Sequence, residues 1–173
     1  MDKDARKLAQ IRRFLEEAEE KIQAAKRVLF EQVYQEQAEN LEVTHQGNTT
    51  VIEGVFNGEE MIDKDGRKFA VPQNYASKSK LIAGDNLKLT IAPDGTFIFK
   101  QIGPIERKRL IGKLSRSGEH WHILAEGKKY KCLPASVTYF KAKAGDKLTI
   151  IMPRTGEAEW AVIENVVNKG EEI

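Results

Sequence analysis

The most constraining feature of this sequence is a pair of stretches in its C-terminal part that repeat one order of motifs. The first stretch contains residues 51–56, 66–72, 83–87 and 97–99, and the second contains residues 109–114, 127–134, 144–148 and 160–163. In both, short runs rich in β-branched and aromatic residues are separated by turn-forming dipeptides that contain Gly. Because order and most spacings agree, the pattern predicts two copies of one small β unit.

Each copy is predicted to run strand, turn, strand, turn, strand, short helix, strand, turn, strand. In the first copy the turns are Asn57-Gly58, Asp65-Gly66 and Asp94-Gly95, and the helix covers residues 75–81. Five strands with a helix between the third and fourth follow the order of an OB-type barrel. The fold class predicted is therefore mainly β with a long N-terminal α-helix and tandem duplicated small five-stranded OB-like β-barrels. The Gly-Asp pairs at 84–85 and 145–146 are interpreted as turns, not as ligand sites.

Four segments follow from this pattern. They are a coiled-coil-like helix (residues 1–46), a first barrel unit (49–105), a second barrel unit (106–167) and an acidic tail (168–173).

The N-terminal segment is predicted to be one helix, because residues 3–40 contain no Gly or Pro and are rich in helix-forming residues. Apolar residues recur at 3–4 spacing and form a seam of Leu8, Ile11, Leu15, Ala18, Ile22, Ala25 and Leu29. An isolated helix has nowhere to bury such a seam. Self-association is the favoured interpretation, with packing on the chain's own barrels and a foreign partner as alternatives.

Charge is segregated along the chain although the formal net charge is only +2. Residues 106–152 carry 11 basic and 4 acidic residues, whereas residues 51–105 carry 7 of each. Cations that bind phosphates and aromatic faces that stack on bases are the combination used by single-strand binders on small barrels. The second unit is therefore predicted to contact RNA, single-stranded DNA or an acidic protein through Arg107, Lys108, Arg109, Lys113, Arg116, Trp121, Lys128, Lys129, Lys131, Lys141 and Lys143.

Motifs of common enzyme classes are missing from the sequence, which has no phosphate-binding loop, nucleophile elbow or zinc-protease helix. His120 and His122 would share a strand face, but the sequence offers no evident third metal ligand. A lone Cys132 excludes an internal disulfide. We therefore expect a non-enzymatic protein without cofactor or metal. With no apolar run long enough for a membrane span, a cytoplasmic location is expected.

The order of a heptad helix followed by two small OB-like barrels resembles the N-terminal region of bacterial proteasome-type AAA ATPases. That resemblance covers nearly the whole chain and implies a coiled coil that receives partners and barrels that form a ring. Since the sequence contains no Walker motif, it would imply an adaptor or scaffold ring.

Two further resemblances rest on shorter stretches. Gly66-Arg67, Val71-Pro72, Gly84-Asp85, Asp94-Gly95 and residues 98–100 follow the order of the AbrB-type swapped-hairpin DNA-binding domain. That family's duplex-binding positions would correspond to Arg67, Lys68, Lys78 and Lys80. The phrases at residues 71–80 and 102–107 are similar to an uncharacterised family of short bacterial proteins, some labelled ribosomal stalk proteins, which would imply a ribosome-associated role.

Overall fold

A computed structural model describes residues 3–168 and divides the chain into two compact units, one up to Val33 and one from Tyr34 onward. One long helix, α1 (Lys3–Ala38), forms the first unit and begins the second. No helix in the described range is long and apolar enough to cross a membrane. Of the predicted acidic tail, residues 169–173 lie outside the described residues.

The first sheet is antiparallel and has the strand order β4-β3-β2-β5-β6, with β1 also paired to β2. Its elements are β1 (Val43–Gln46), β2 (Thr49–Phe56), β3 (Glu60–Ile62), β4 (Lys68–Ala70), α2 (Gln73–Lys78), β5 (Asn86–Ile91) and β6 (Phe97–Gly103). Strand β1 lies where the helical segment of residues 1–46 was expected, so that segment is shorter than predicted. Helix α2 begins and ends earlier than the predicted residues 75–81.

The second sheet is also antiparallel and has the order β9-β8-β7-β10-β11. Its elements are β7 (Arg107–Ser117), β8 (His120–Ala125), β9 (Lys128–Cys132), α3 (Pro134–Tyr139), β10 (Lys147–Pro153) and β11 (Val162–Asn168). Pairing each element with its counterpart by chain order gives the same strand order in both sheets. The predicted class, mainly β with one long N-terminal helix, is confirmed.

The Gly-Asp turns make matching backbone hydrogen bonds in the two sheets. The amide of Gly84 donates to the carbonyl of Phe56 (2.7 Å), and the amide of Phe56 donates to the carbonyl of Asp85 (2.9 Å). In the second sheet Gly145 donates to Leu114 (2.8 Å), which donates to Asp146 (2.9 Å). Both glycines have positive φ, +102° and +96°, which residues with a Cβ rarely adopt. The pair acts as a turn that ties a strand start to β2 or β7.

Each sheet packs around an apolar core, the first of which also contains the buried Leu133 from the second half of the chain, and a third cluster joins them. Ile52, Phe56 and Leu87 belong to the first core, whereas Leu114 and Ile123 belong to the second. The joining cluster consists of the buried side chains of Ile82, Ile151 and Val162, with Ile105 packed against it. The two predicted barrel units, residues 49–105 and 106–167, lie together in one compact unit.

Candidate functional site

The predicted cationic residues are distributed over two strands and the turn that follows α3. Strand β7 carries Arg107, Lys108, Arg109, Lys113 and Arg116, β9 carries Lys128, Lys129 and Lys131, and Lys141 and Lys143 follow α3. Successive side chains of a strand point to opposite faces, so these residues do not form one surface. Only some of these cationic side chains lie on the exposed face of the second sheet.

Ion pairs within the protein already neutralise three of the predicted contact residues. Arg107 Nη2 donates to the buried carboxylate of Asp85 at 2.6 Å, which ties β7 to the first sheet. Arg109 makes two hydrogen bonds to Glu164, at 2.7 and 2.8 Å. Lys131 forms an ion pair with Glu159. Since these three cations have anionic partners in the fold, they contribute less than expected to a free cationic surface.

The predicted aromatic partner Trp121 is also engaged within the fold. Its ring packs against the second core, and the guanidinium of Arg116 lies 5.2 Å from the ring centroid. Arg116 Nε also donates to the carbonyl of Gly118 at 3.0 Å. Tyr130 is buried in the same core. Stacking of bases on Trp121 would therefore require Arg116 to move.

What remains on the exposed face is a row of three lysines, which we call the lysine row: Lys113, Lys129 and Lys147. Across neighbouring strands, Lys129 lies opposite Leu124, Leu124 opposite Lys113, and Lys113 opposite Lys147. With strands about 4.8 Å apart, the row spans roughly 14 Å. All three lysines are exposed, and none of their side chains makes an ion pair or hydrogen bond with the described residues.

The lysine row includes a residue that the sequence did not identify. Lys147 was missed because its partner strand depends on a long-range register, although its alternation with the buried Leu148 and Ile150 marks it as outward-facing. No Asp or Glu occupies an outward position on β7, β8, β9 or β10. Like charges directly opposite each other destabilise a sheet, so the pairing of Lys113 with Lys147 should lower the stability of this fold.

His122 adjoins this row on the same face. It lies opposite Ser115 on β7 and Lys131 on β9. Burial lowers the pKa of His122, and the charges of Lys129, His120 and Lys131 lower it further. Its Nδ1 atom is buried and has no hydrogen-bond partner in the described part of the chain. The imidazole is therefore harder to protonate than that of an exposed histidine.

Metal binding and thiol chemistry find no support in the described residues. No group of three or more His, Cys, Asp or Glu side chains in residues 3–168 could hold a metal ion. Cys132 is 3% exposed, and burial raises its pKa to about 12. Such a thiol is protonated and unreactive at neutral pH.

The predicted oligomerisation seam is exposed along α1. The large members Leu8, Ile11, Leu15, Ile22 and Leu29 have exposed fractions of 54–72%. Ala18 and Ala25 are exposed as well, and so are Phe14 and Val28 beside the seam. The apolar residues of the seam are therefore not covered by the rest of the described chain.

Comparison with known proteins gives no match for this chain to a protein-family model, to a curated protein or to a solved structure.

Proposed function

We propose that this chain is a non-enzymatic, cytoplasmic binding protein that associates with itself through α1 and binds single-stranded nucleic acid through the second sheet. The observation that carries the proposal is the lysine row, in which Lys113, Lys129 and Lys147 are exposed and lack anionic partners among the described residues. A phosphodiester backbone crossing the strands would neutralise all three and remove the repulsion between Lys113 and Lys147. The carboxylates of an acidic protein segment would also neutralise these lysines, but their spacing is less regular than that of phosphates in a nucleic-acid backbone.

The proposal requires the second sheet to be an OB-type barrel, and we propose that the two sheets arose by duplication of one such unit. Their strand orders correspond element by element. In the second sheet, Lys131 donates its amide to Glu159 and accepts from Ala161, so β9 meets the segment before β11 in a parallel bridge. A parallel contact between the third and fifth strands is what closes a barrel of this order. Small barrels of this type bind single strands on an exposed sheet face.

Binding is tested with a fluorescent 20-nucleotide uridine RNA and its deoxythymidine counterpart, measured by anisotropy over a salt series. Changing Lys113, Lys129 and Lys147 to Glu should weaken binding about 10-fold or more at moderate salt. The slope of log K against log salt should fall by about 2, since three phosphate contacts are lost. The matched control changes Arg12, Lys21 and Lys64, all exposed, to Glu, which alters net charge equally away from the lysine row. Equal losses in both variants would reject a defined site.

Stability supplies a second readout for the same site. Lys147→Glu places an acid opposite Lys113 and should raise the free energy of unfolding by about 0.5 kcal/mol while binding weakens. A gain in stability together with a loss of RNA binding is expected if the protein keeps Lys147 in order to bind a ligand. If Lys147→Glu lowers stability and leaves RNA binding intact, Lys147 has a structural role and the proposal fails at that residue.

A protein-protein adaptor or scaffold is the second candidate, because the exposed seam of α1 is independent of the lysine row. Light scattering should show an oligomer whose mass Leu15→Glu with Ile22→Glu lowers, since both substitutions place charge in the seam. Arg6→Glu with Arg27→Glu, on the opposite side of the helix, is the matched control. An oligomer that persists without measurable RNA binding favours the scaffold, whereas a monomeric wild-type chain rejects both self-association and the scaffold.

A further inference from the structure

Within each sheet the two outermost strands lie near each other, β4 and β6 in the first sheet and β9 and β11 in the second. The two sheets differ in whether these outer strands are bonded. In the second sheet, residues 159–161 bond to Lys131 of β9 and close part of that edge. The long connection between β10 and β11 makes this contact possible, because it brings Trp160 beside Lys131 of β9 before β11 begins. In the first sheet the corresponding connection is the tight turn at Pro93-Asp94-Gly95. There β4 and β6 meet through the rings of Phe69 and Phe97, whose centroids are 6.3 Å apart, and the two strands are not hydrogen-bonded to each other. Strand β6 therefore ends the first sheet as an open edge.

The backbone groups that face this open edge follow from the pairing with β5. Ala92 donates its amide to Thr96, so hydrogen-bonded pairs with β5 recur at Ile98 and Lys100. The intervening Phe97 and Phe99 direct their amides and carbonyls away from β5. The next such amide, that of Gln101, is already occupied, since it donates to Tyr75 Oη at 2.9 Å. Phe97 and Phe99 have no backbone partner on this side among the described residues.

The side chains of this edge are apolar and exposed. Phe97, Ile98 and Ile102 have exposed fractions of 48%, 55% and 39%. Proteins usually guard an open edge with charges, Pro, bulges or a covering segment, because a bare apolar edge pairs with other strands. In the equivalent strand β11, Glu164 is held by Arg109 and residues 159–161 are bonded to β9. Along β6 the one charged residue is Lys100.

We propose that β6 pairs antiparallel with β6 of a second copy of this chain, about a two-fold axis at Ile98. In this register Phe97 lies opposite the partner's Phe99 as a hydrogen-bonded pair, which gives four backbone bonds, and Ile98 lies opposite its own copy. Lys100 lies opposite Thr96 and diagonal to Asp94 of the other copy, so apolar residues meet apolar ones and Lys100 meets an acid.

The Tyr75 hydrogen bond selects this register over its neighbour. An axis at Phe99 would require the Gln101 amide to donate to the second copy, but that amide already donates to Tyr75 Oη. An axis at Lys100 would place two ammonium groups opposite each other, which destabilises a pair of strands. The interface is separate from the seam of α1 and does not depend on the proposed nucleic-acid site.

The register is tested by disulfide trapping in the full chain. Ile98→Cys places two thiols in a non-hydrogen-bonded pair, with Cβ atoms roughly 4.5–5.5 Å apart, so most of the protein should become a disulfide-linked dimer in air. Lys100→Cys alone and Thr96→Cys alone should give little, whereas the two together should cross-link. Cys132 is buried and does not compete. Equal cross-linking by Ile98→Cys and Lys100→Cys overturns the register.

Light scattering then separates this interface from the helix. Ile98→Lys places a charge opposite its own copy and should lower the mass of the assembly, and adding Leu15→Glu and Ile22→Glu should lower it further, to a monomer. Thr90→Lys, on the neighbouring strand and the same face, is the control and should leave the mass unchanged. If Ile98→Lys leaves the mass unchanged in both helix backgrounds, β6 does not pair with a second copy.

Discussion

The two sheets have the same strand order but expose different chemistry at equivalent positions. Lys113 precedes the matched turn contact of β7, and Val55 precedes the equivalent contact of β2. Lys113 lies opposite Lys147, whereas Val55 is fully buried and lies opposite Asn86. Conversely, the first sheet leaves an apolar edge open where the second is bonded to residues 159–161. One scaffold therefore supports a cationic face in one sheet and a self-complementary edge in the other.

The largest expected effect is at Asp85, in the Gly-Asp turn of the first sheet. Asp85 is fully buried and accepts hydrogen bonds from Ile82, Gln101 and Ile105 in addition to its ion pair with Arg107. Asp85→Ala should lower the free energy of unfolding by about 3–5 kcal/mol, because it leaves a partly buried guanidinium and several donors without a partner. Urea unfolding measures the change, with the exposed Asp94→Ala as control. A loss below about 1 kcal/mol would contradict the anchoring role of Asp85.

The next effect compares two equivalent glycines. A Cβ at Gly54 would lie 2.6 Å from the carbonyl oxygen of Ile62, and one at Gly112 would lie 2.4 Å from a methyl carbon of Ile123. Gly54→Ala should cost about 3 kcal/mol and Gly112→Ala about 2 kcal/mol, since a side chain yields more easily than backbone. In thermal unfolding, Gly54→Ala should have a lower Tm than Gly112→Ala. The reverse order would show that the Ile123 side chain is the more rigid neighbour.

A smaller, opposite effect is expected at two lysines in equivalent turns after α2 and α3. Lys80 and Lys141 both have positive φ, +50° and +52°. Replacing either by Gly should raise stability by about 0.5–1 kcal/mol, because Gly adopts this conformation without the Cβ clash. Since Lys141 is also a predicted contact residue, RNA anisotropy of Lys141→Gly reports its share in binding. Destabilisation by either Gly would mean that the lysine side chain makes a contact worth more than the strain.

The smallest effect concerns pH. Because the pKa of His122 is lowered in the folded protein, the unfolded state takes up a proton first as pH falls below about 6.5. Stability should therefore decline slightly as pH falls through this range, and His122→Gln should remove that part of the decline. Chemical denaturation at pH 7.5 and 5.5 measures it. Bound RNA should reduce the decline, since phosphates offset the charges of Lys129 and Lys131.

The sequence predicted the element order well because turn dipeptides and alternation are local signals. Asn57-Gly58, Asp65-Gly66 and Asp94-Gly95 form turns with positive φ at each glycine. Strand β1 was missed because four residues beside a long helix carry little periodicity. The candidate site was predicted less well. Charge counts identified the cationic region, but they could not indicate that Arg107 pairs with Asp85 or that Lys147 completes the lysine row.

The sequence by itself determined the long helix, the β class of the remainder, the positions of its turns and the concentration of positive charge in the second half. These depend on interactions between residues close in the chain. Only the tertiary structure decided which cations are neutralised, that a third cluster joins the two cores, and that β6 remains an open edge. Each of those depends on strand register and on contacts between residues distant in sequence, such as Asp85 with Arg107 and Lys131 with Glu159.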